Sequence, residues 1–202
     1  MLVELLRNHK IILGSASPRR QDLLKQMGIH FAVRPSSVEE VYPDELEGNA
    51  ISDYLAILKA NSLRDTLKED EILITSDTVV WHGGRSLAKP KDREEAHEML
   101  KILNNDSHEV ITSVCLTTKE DQRVAHAITR VTFNHLSPEE MKYYVLHYSP
   151  YDKAGAYGIQ EWIGLIGIKG IQGSYNNVVG LPTHLVYEML LDLLQVNRNT
   201  KR

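Results

Sequence analysis

The chain has 202 residues, 42% of them hydrophobic and 25% charged, and a net charge of −4. This is a normal globular balance with room for one sizeable domain or two small lobes, and residues 1–202 are expected to form a single domain. The acidic balance excludes broad binding to nucleic acid or to an anionic membrane surface, so any anion site must be local.

Ile11-Ile12-Leu13 predicts a short buried strand over 10–14. Ser17 follows as an N-cap with Pro18 at the first helical position, Leu23, Leu24 and Met27 continue a helix over 18–27, and Gly28 ends it. A polar, proline-punctuated loop follows the strand end at Phe31-Ala32-Val33. Residues 47–67 predict a helix with Ile51, Tyr54, Leu55 and Leu58 on one face. The run from Glu71 to Pro90 reads as a buried strand, a polar interruption, a second short strand and a Gly83-Gly84 turn. Residues 92–103 form another helix, acidic at its start as the macrodipole prefers. Residues 108–136 read as a long hairpin turning near Lys119 to Gln122; its Cys115, the single cysteine, excludes an intrachain disulfide and reads as a small buried hydrophobe. Ser137-Pro138-Glu139-Glu140 is a capping box opening a helix to about His147. Residues 163–171 read as a strand, 183–195 as the final helix, and 197–202 as a frayed tail. Strands and helices mix without strict alternation, which points to an α/β fold with a mixed sheet rather than a regular doubly wound one. No apolar run approaches about 20 residues and no signal-peptide pattern opens the chain, so the expected location is the cytoplasm.

The usual nucleotide and hydrolase signatures are missing: no P-loop, no G-x-G-x-x-G, no G-x-S-x-G, and no metal-ligand spacing among the nine histidines. What stands out is a set of polar residues where a packed chain would be apolar or plain. Arg19 and Arg20 crowd the positive end of a helix, where a cation typically costs about 0.3–1 kcal/mol. They make sense if a polyanion sits in the cradle formed by the Ser15–Ser17 turn and the helix N-terminus; the bland alternative is two solvated arginines. Asp77 breaks an apolar run, and a carboxylate ending a central strand is expensive unless paired or metal-bound. It is a candidate general base or hard-cation ligand, or the start of a tight turn. Lys89 precedes a proline and is held extended. Lys59 falls away from Tyr54 and Leu58, and pattern alone makes it an exposed helix lysine. Asp152-Lys153 opens a run of small residues that would let backbone approach a ligand, and Gln160 offers the donor and acceptor needed to read a base edge. The segment Gly173 to Pro182 reads as a Gly/Asn turn into a strand end.

In order, SASPRR, SDTVV, LAKPKD, YDKAGAYGIQ and GSYNNVVGLP resemble the successive motifs of the Maf family of nucleoside triphosphate pyrophosphatases, from about residue 11 to residue 190. The resemblance implies an inosine triphosphatase-like fold: an elongated mixed sheet with flanking helices and two lobes around a cleft. Arg19, Thr78 and Gln160 match the places that distinguish members acting on dTTP and UTP, so substrate selectivity is expected there. Glu161-Trp162 departs from the glycine many members carry after the glutamine. The implied reaction converts a nucleoside triphosphate and water into the monophosphate and diphosphate. Ser15, Ser17, Arg20, Lys59 and Lys89 are the expected phosphate ligands, Asp77 the catalytic carboxylate, Glu40 and Asp77 the ligands of a divalent cation (Mg²⁺ or Mn²⁺), and Asp152 and Lys153 the far side of the cleft. The implied partner is the nucleotide, with no nucleic acid and no membrane; a homodimer is a family expectation. The competing reading is a non-catalytic nucleotide-binding regulator of cell division. A base deaminase is disfavoured by the missing zinc ligands.

Overall fold

The computed structural model describes residues 2–200. A short helix α1 (Leu2–Leu5) precedes β1 (Lys10–Leu13), which leads through the Gly14–Ser17 turn into α2 (Pro18–Gln26). Then follow β2 (Phe31–Val33), α3 (Asn49–Arg64), β3 (Glu71–His82), β4 (Arg85–Leu87), α4 (Arg93–Leu103), β5 (Ser107–Thr117) and β6 (Gln122–Phe133). The chain ends in α5 (Pro138–Tyr148), α6 (Trp162–Gly167), β7 (Ile168–Gln172), α7 (Tyr175–Val179) and α8 (Thr183–Thr200). The mixed α/β architecture is as expected. One seven-stranded sheet has the order β2-β1-β3-β5-β6-β7, with β4 paired to β3. The β1–β2 and β1–β3 pairs are parallel and the others antiparallel.

The two largest of four apolar clusters among the described residues sit toward opposite ends of the long strands. Ile72 and Ile74 of β3 and Val114 and Leu116 of β5 join Leu24 of α2 and Leu190 of α8 in the first. Val80, Val110, Val131 and Phe133 join Leu100 of α4 and Tyr144 of α5 in the second. Between them lies a polar waist, Thr75 to Thr78 on β3, with Asp77 and Thr78 paired to Ser113 and Thr112 on β5. Buried polar groups need partners, and here most have them, the Ser76 hydroxyl excepted. Thr75 Oγ1 donates to the Ala56 carbonyl at 2.7 Å, and Ser113 Oγ lies 2.7 Å from both Ser52 Oγ and Asp53 Oδ1.

That waist corrects the expected strand break: β3 runs unbroken through Asp77, because α3 and β5 supply the polar partners. Residues 162–167 are helical and only 168–172 form a strand, and the stretch read as a turn and strand end is α7, capped by Ser174 Oγ on the Asn177 N–H. Tyr54, expected on the buried face of α3, is exposed. The final helix continues to Thr200, into the stretch expected to fray; Lys201 and Arg202 lie outside the described residues. The Gly83-Gly84 turn holds, with both residues at positive φ (56° and 78°) as a two-residue hairpin requires. Cys115 is buried and free. Among the described residues no helix is long and apolar enough to cross a membrane.

Candidate active site

A cleft of about 420 Å³ opens at the waist, between the Gly14–Arg20 segment, α3, the middle of β3, the 152–160 loop and α7. Its volume is in the range of small-molecule sites. All twelve residues singled out from the sequence line it: Ser15, Ser17, Arg19, Arg20, Glu40, Lys59, Asp77, Thr78, Lys89, Asp152, Lys153 and Gln160. The charged lining residues are five cations and three carboxylates, a local positive excess on an acidic chain.

Lys59 is the centre of the arrangement, and it is not the exposed lysine that the helical pattern suggests. It is buried on α3, with Nζ 2.6 Å from Asp77 Oδ1 and 2.9 Å from Glu40 Oε1. Its neighbours on the inward face are small or polar (Ser52, Ala56, Ala60), which leaves room for the long side chain to reach the strand. Lys89 Nζ approaches Glu40 Oε2 at 3.6 Å. Burial pushes the Glu40 carboxyl up, but Lys59, Lys89 and Arg20 outweigh it and hold the group below the ordinary carboxylate value.

Arg20 is clamped on three sides. Its Nε donates to the Gly180 carbonyl at 2.9 Å, Nη1 to Ser15 Oγ at 3.3 Å and Nη2 to Thr78 Oγ1 at 3.2 Å. Gly180 holds φ at 125°, a conformation that favours glycine, and so turns its carbonyl toward the guanidinium. Thr112 Oγ1 donates to the Asn177 carbonyl at 3.0 Å, so its contact with Thr78, also 3.0 Å, is one in which Thr78 donates. Thr112 carried no signal in the sequence. Burial lowers the Arg20 pKa, with Asp77 and Glu40 pulling the other way. Ser17 occupies the N-cap position of α2, yet its side chain makes no capping bond, contrary to expectation. Its own N–H donates to Ser15 Oγ at 3.2 Å. An uncapped helix N-terminus flanked by two arginines suits a bound anion.

On the far side, Asp152 Oδ2 pairs with Arg19 Nη1 at 2.9 Å and Oδ1 with Lys153 Nζ at 2.7 Å. Burial raises the Asp152 carboxyl, and the Lys153 and Arg19 hydrogen bonds more than reverse that, leaving it below the usual value. Lys153 is buried, whereas Gln160 is exposed at the cleft. Val80, Val110, Tyr157, Val178 and Val179 give the lining an apolar stretch. Behind Tyr157, the buried His108 lies 2.8 Å from the Tyr157 hydroxyl, and burial lowers its pKa to about 4.

A cation-rich cleft at a helix N-terminus, cut into the polar waist of a mixed sheet, defines an α/β protein built to receive a polyanion. The chain belongs to the Maf family: a family model described as Maf-like protein matches residues 10–193. Relatives named dTTP/UTP pyrophosphatase are 52% identical in Flavobacterium johnsoniae (96% of this chain, 100% of the relative), 53% in Flavobacterium psychrophilum (95% and 98%) and 49% in Phocaeicola vulgatus (95% and 100%). Among solved structures the chain is similar to the Staphylococcus aureus Ham1 protein, at 16% identity and a TM-score of 0.42 over 61% of this chain and 71% of that one.

Proposed function

We propose that the chain is a nucleoside triphosphate pyrophosphatase acting on dTTP and UTP. The observation that carries this reading is the buried Lys59 ammonium, held between Asp77 and Glu40 in a cleft that also gathers Arg19, Arg20, Lys89 and Lys153. The names of full-length relatives at about half identity support the choice of substrate. Arg20, Ser15, Ser17 and the first turn of α2 bind the phosphate oxygens, and the clamped guanidinium needs no reorganisation to do so. Lys59 and Lys89 neutralise charge building on the diphosphate leaving group. Water attacks the α-phosphorus, a new P–O bond forms, the bond to the bridging oxygen breaks, and Asp77 takes the proton from the water.

Glu40 Oε1 and Asp77 Oδ1 bring two hard oxygen donors to one ammonium, which suits Mg²⁺ or Mn²⁺ arriving with phosphates that complete its shell. Such an ion would supply charge stabilisation and orientation of the phosphates. The exposed Gln160 amide presents a donor and an acceptor to the acceptor–donor–acceptor edge of thymine or uracil, and the apolar lining receives the ring. Arg19 and Thr78 complete the selectivity set, Thr78 through its hold on Arg20. Diphosphate release measured across dTTP, UTP, CTP and GTP with Mg²⁺ tests the proposal. Release fastest from dTTP and UTP is expected; nucleotide binding without release would establish the regulator instead.

A further inference from the structure

The 152–161 wall of the cleft is secured by a group that lies behind it. The Tyr144 hydroxyl, on a fully buried side chain of α5, accepts the Gly158 backbone N–H at 3.0 Å and donates to Glu161 Oε2. Glu161 directs its other oxygen, Oε1, to Lys153 Nζ at 3.1 Å. Lys153 holds Asp152, and Asp152 holds Arg19. A single chain of polar contacts thus runs from the second core through the cleft lining to the first turn of α2. Burial and the Glu161 carboxylate both push the Tyr144 hydroxyl far above the ordinary tyrosine value, so it remains a donor.

Gly158 supplies an independent observation. A Cβ there would lie 2.8 Å from Glu161 Cδ, 3.0 Å from Glu161 Oε2 and 3.0 Å from Gln160 Nε2. The Gln160 amide and the Glu161 carboxylate therefore fold back over the same bare α-carbon, each limiting where the other can go. The Glu161 backbone is extended (φ −97°, ψ 179°), a conformation open to any residue, so a glycine is not needed at this position.

We infer that Tyr144 and Glu161 are positioning residues for substrate selection, fixing the Gln160 amide and the Lys153 ammonium in the pose that receives the nucleotide. The inference deepens the proposed function and rests on it, because it takes Gln160 as the base reader. Neither residue lines the cleft; they act through residues that do. A merely structural brace would change stability and leave discrimination between bases untouched.

The test is kcat and KM for dTTP, UTP, CTP and GTP, with melting temperature, on the wild type and on Glu161→Ala, Glu161→Gln, Tyr144→Phe and Gln160→Glu. Losing a hydrogen bond to a charged group is typically worth at least about tenfold. Glu161→Ala and Tyr144→Phe should each lower the preference for dTTP over CTP by about that factor, mainly through KM. Glu161→Gln keeps an acceptor for Tyr144 and loses only the anion facing Lys153, so it should restore the preference while raising KM for all four nucleotides alike. If Tyr144→Phe does not fold, Glu161→Ala, on a partly exposed loop residue, carries the test. A shifted substrate ranking in Gln160→Glu with an unshifted one in Glu161→Ala and Tyr144→Phe overturns the inference and keeps the proposed function. A ranking unmoved by Gln160→Glu removes Gln160 as the base reader and takes the inference with it.

Discussion

Replacing Lys59 by methionine keeps the length and most of the volume of the side chain and removes its charge. Two carboxylates lose their common partner: Asp77, whose side chain is 7% exposed, and Glu40, at 41%. Removing one member of a buried ion pair costs about 3–5 kcal/mol, whereas an exposed pair is worth about 0–1 kcal/mol. Only the Asp77 contact is buried on both sides and the cleft is open to water, so the lower end applies, about 3 kcal/mol. For a chain of this length that lowers the melting temperature by about 6–12 °C. The pH dependence follows from Glu40. Its folded pKa is depressed, so its pairing stabilises the fold above the ordinary carboxylate pKa and is lost as pH falls through the lower, folded value. The variant loses the Lys59 contribution, so its deficit should be full at pH 7 and 6 and narrow only as pH falls below the ordinary carboxylate value of 4.5 toward the lower, folded one. Urea melts of both proteins at pH 7, 6, 5, 4 and 3, with turnover at pH 7, test this. A deficit under about 1 kcal/mol, or one independent of pH, would show that Lys59 is not the partner these carboxylates require.

Asp77→Asn should reduce turnover at least about 10²-fold while the protein remains folded, as read by diphosphate release and circular dichroism; wild-type-like turnover would remove Asp77 from the reaction. Arg19→Ala should weaken triphosphate binding in calorimetry and leave the melting temperature within about 2 °C, since an exposed ion pair worth about 0–1 kcal/mol is offset by about 0.3–1 kcal/mol of relieved dipole repulsion. His108, neutral in the fold with a pKa of about 4 against 6.5 for the free group, makes the unfolded chain bind more protons between these values. Stability should therefore fall as pH drops from 6.5 to 4, by up to about 1.4 kcal/mol per unit, and His108→Phe should flatten that slope in denaturant melts.

The mixed α/β class and the strand–turn–helix around Ser17 were legible because apolar runs, Pro18 and Gly28 report backbone directly. So was the membership of the cleft, since motif residues far apart in sequence all line it. Lys59 was not, because an amphipathic reading sorts residues by polarity and sends a lysine to solvent, whereas this one lies among small and apolar residues on the buried face of α3. The spacing of Ser52, Ala56, Lys59 and Leu63 is nonetheless that of one helical face, and small residues beside a lysine were the available signal. The continuity of β3 through Thr75-Ser76-Asp77-Thr78 was hidden for the same reason: the partners that make polar residues tolerable there come from other elements. Ile163 to Ile171 misled because a short apolar run fits helix and strand alike. Glu161 showed only as a departure from the family pattern, and Tyr144 as one more aromatic on a capped helix.

Since β3, β5 and β6 pass from one core to the other without a break, the cleft is a notch in a beam, not a gap between hinged blocks. Widening it would mean bending three hydrogen-bonded strands at once. Access to the notch therefore falls to its trim: the 34–48 segment that carries Glu40, and the 149–161 segment that carries Asp152 and Gln160. Asp77 and Thr78, rooted in the beam, stay where the sheet puts them whatever these segments do. The reacting end of a bound nucleotide would thus meet the sheet itself and its remaining parts the segments laid against the sheet. Substitutions in the trim can then retune what is admitted without disturbing the carboxylate proposed to take the proton from the attacking water.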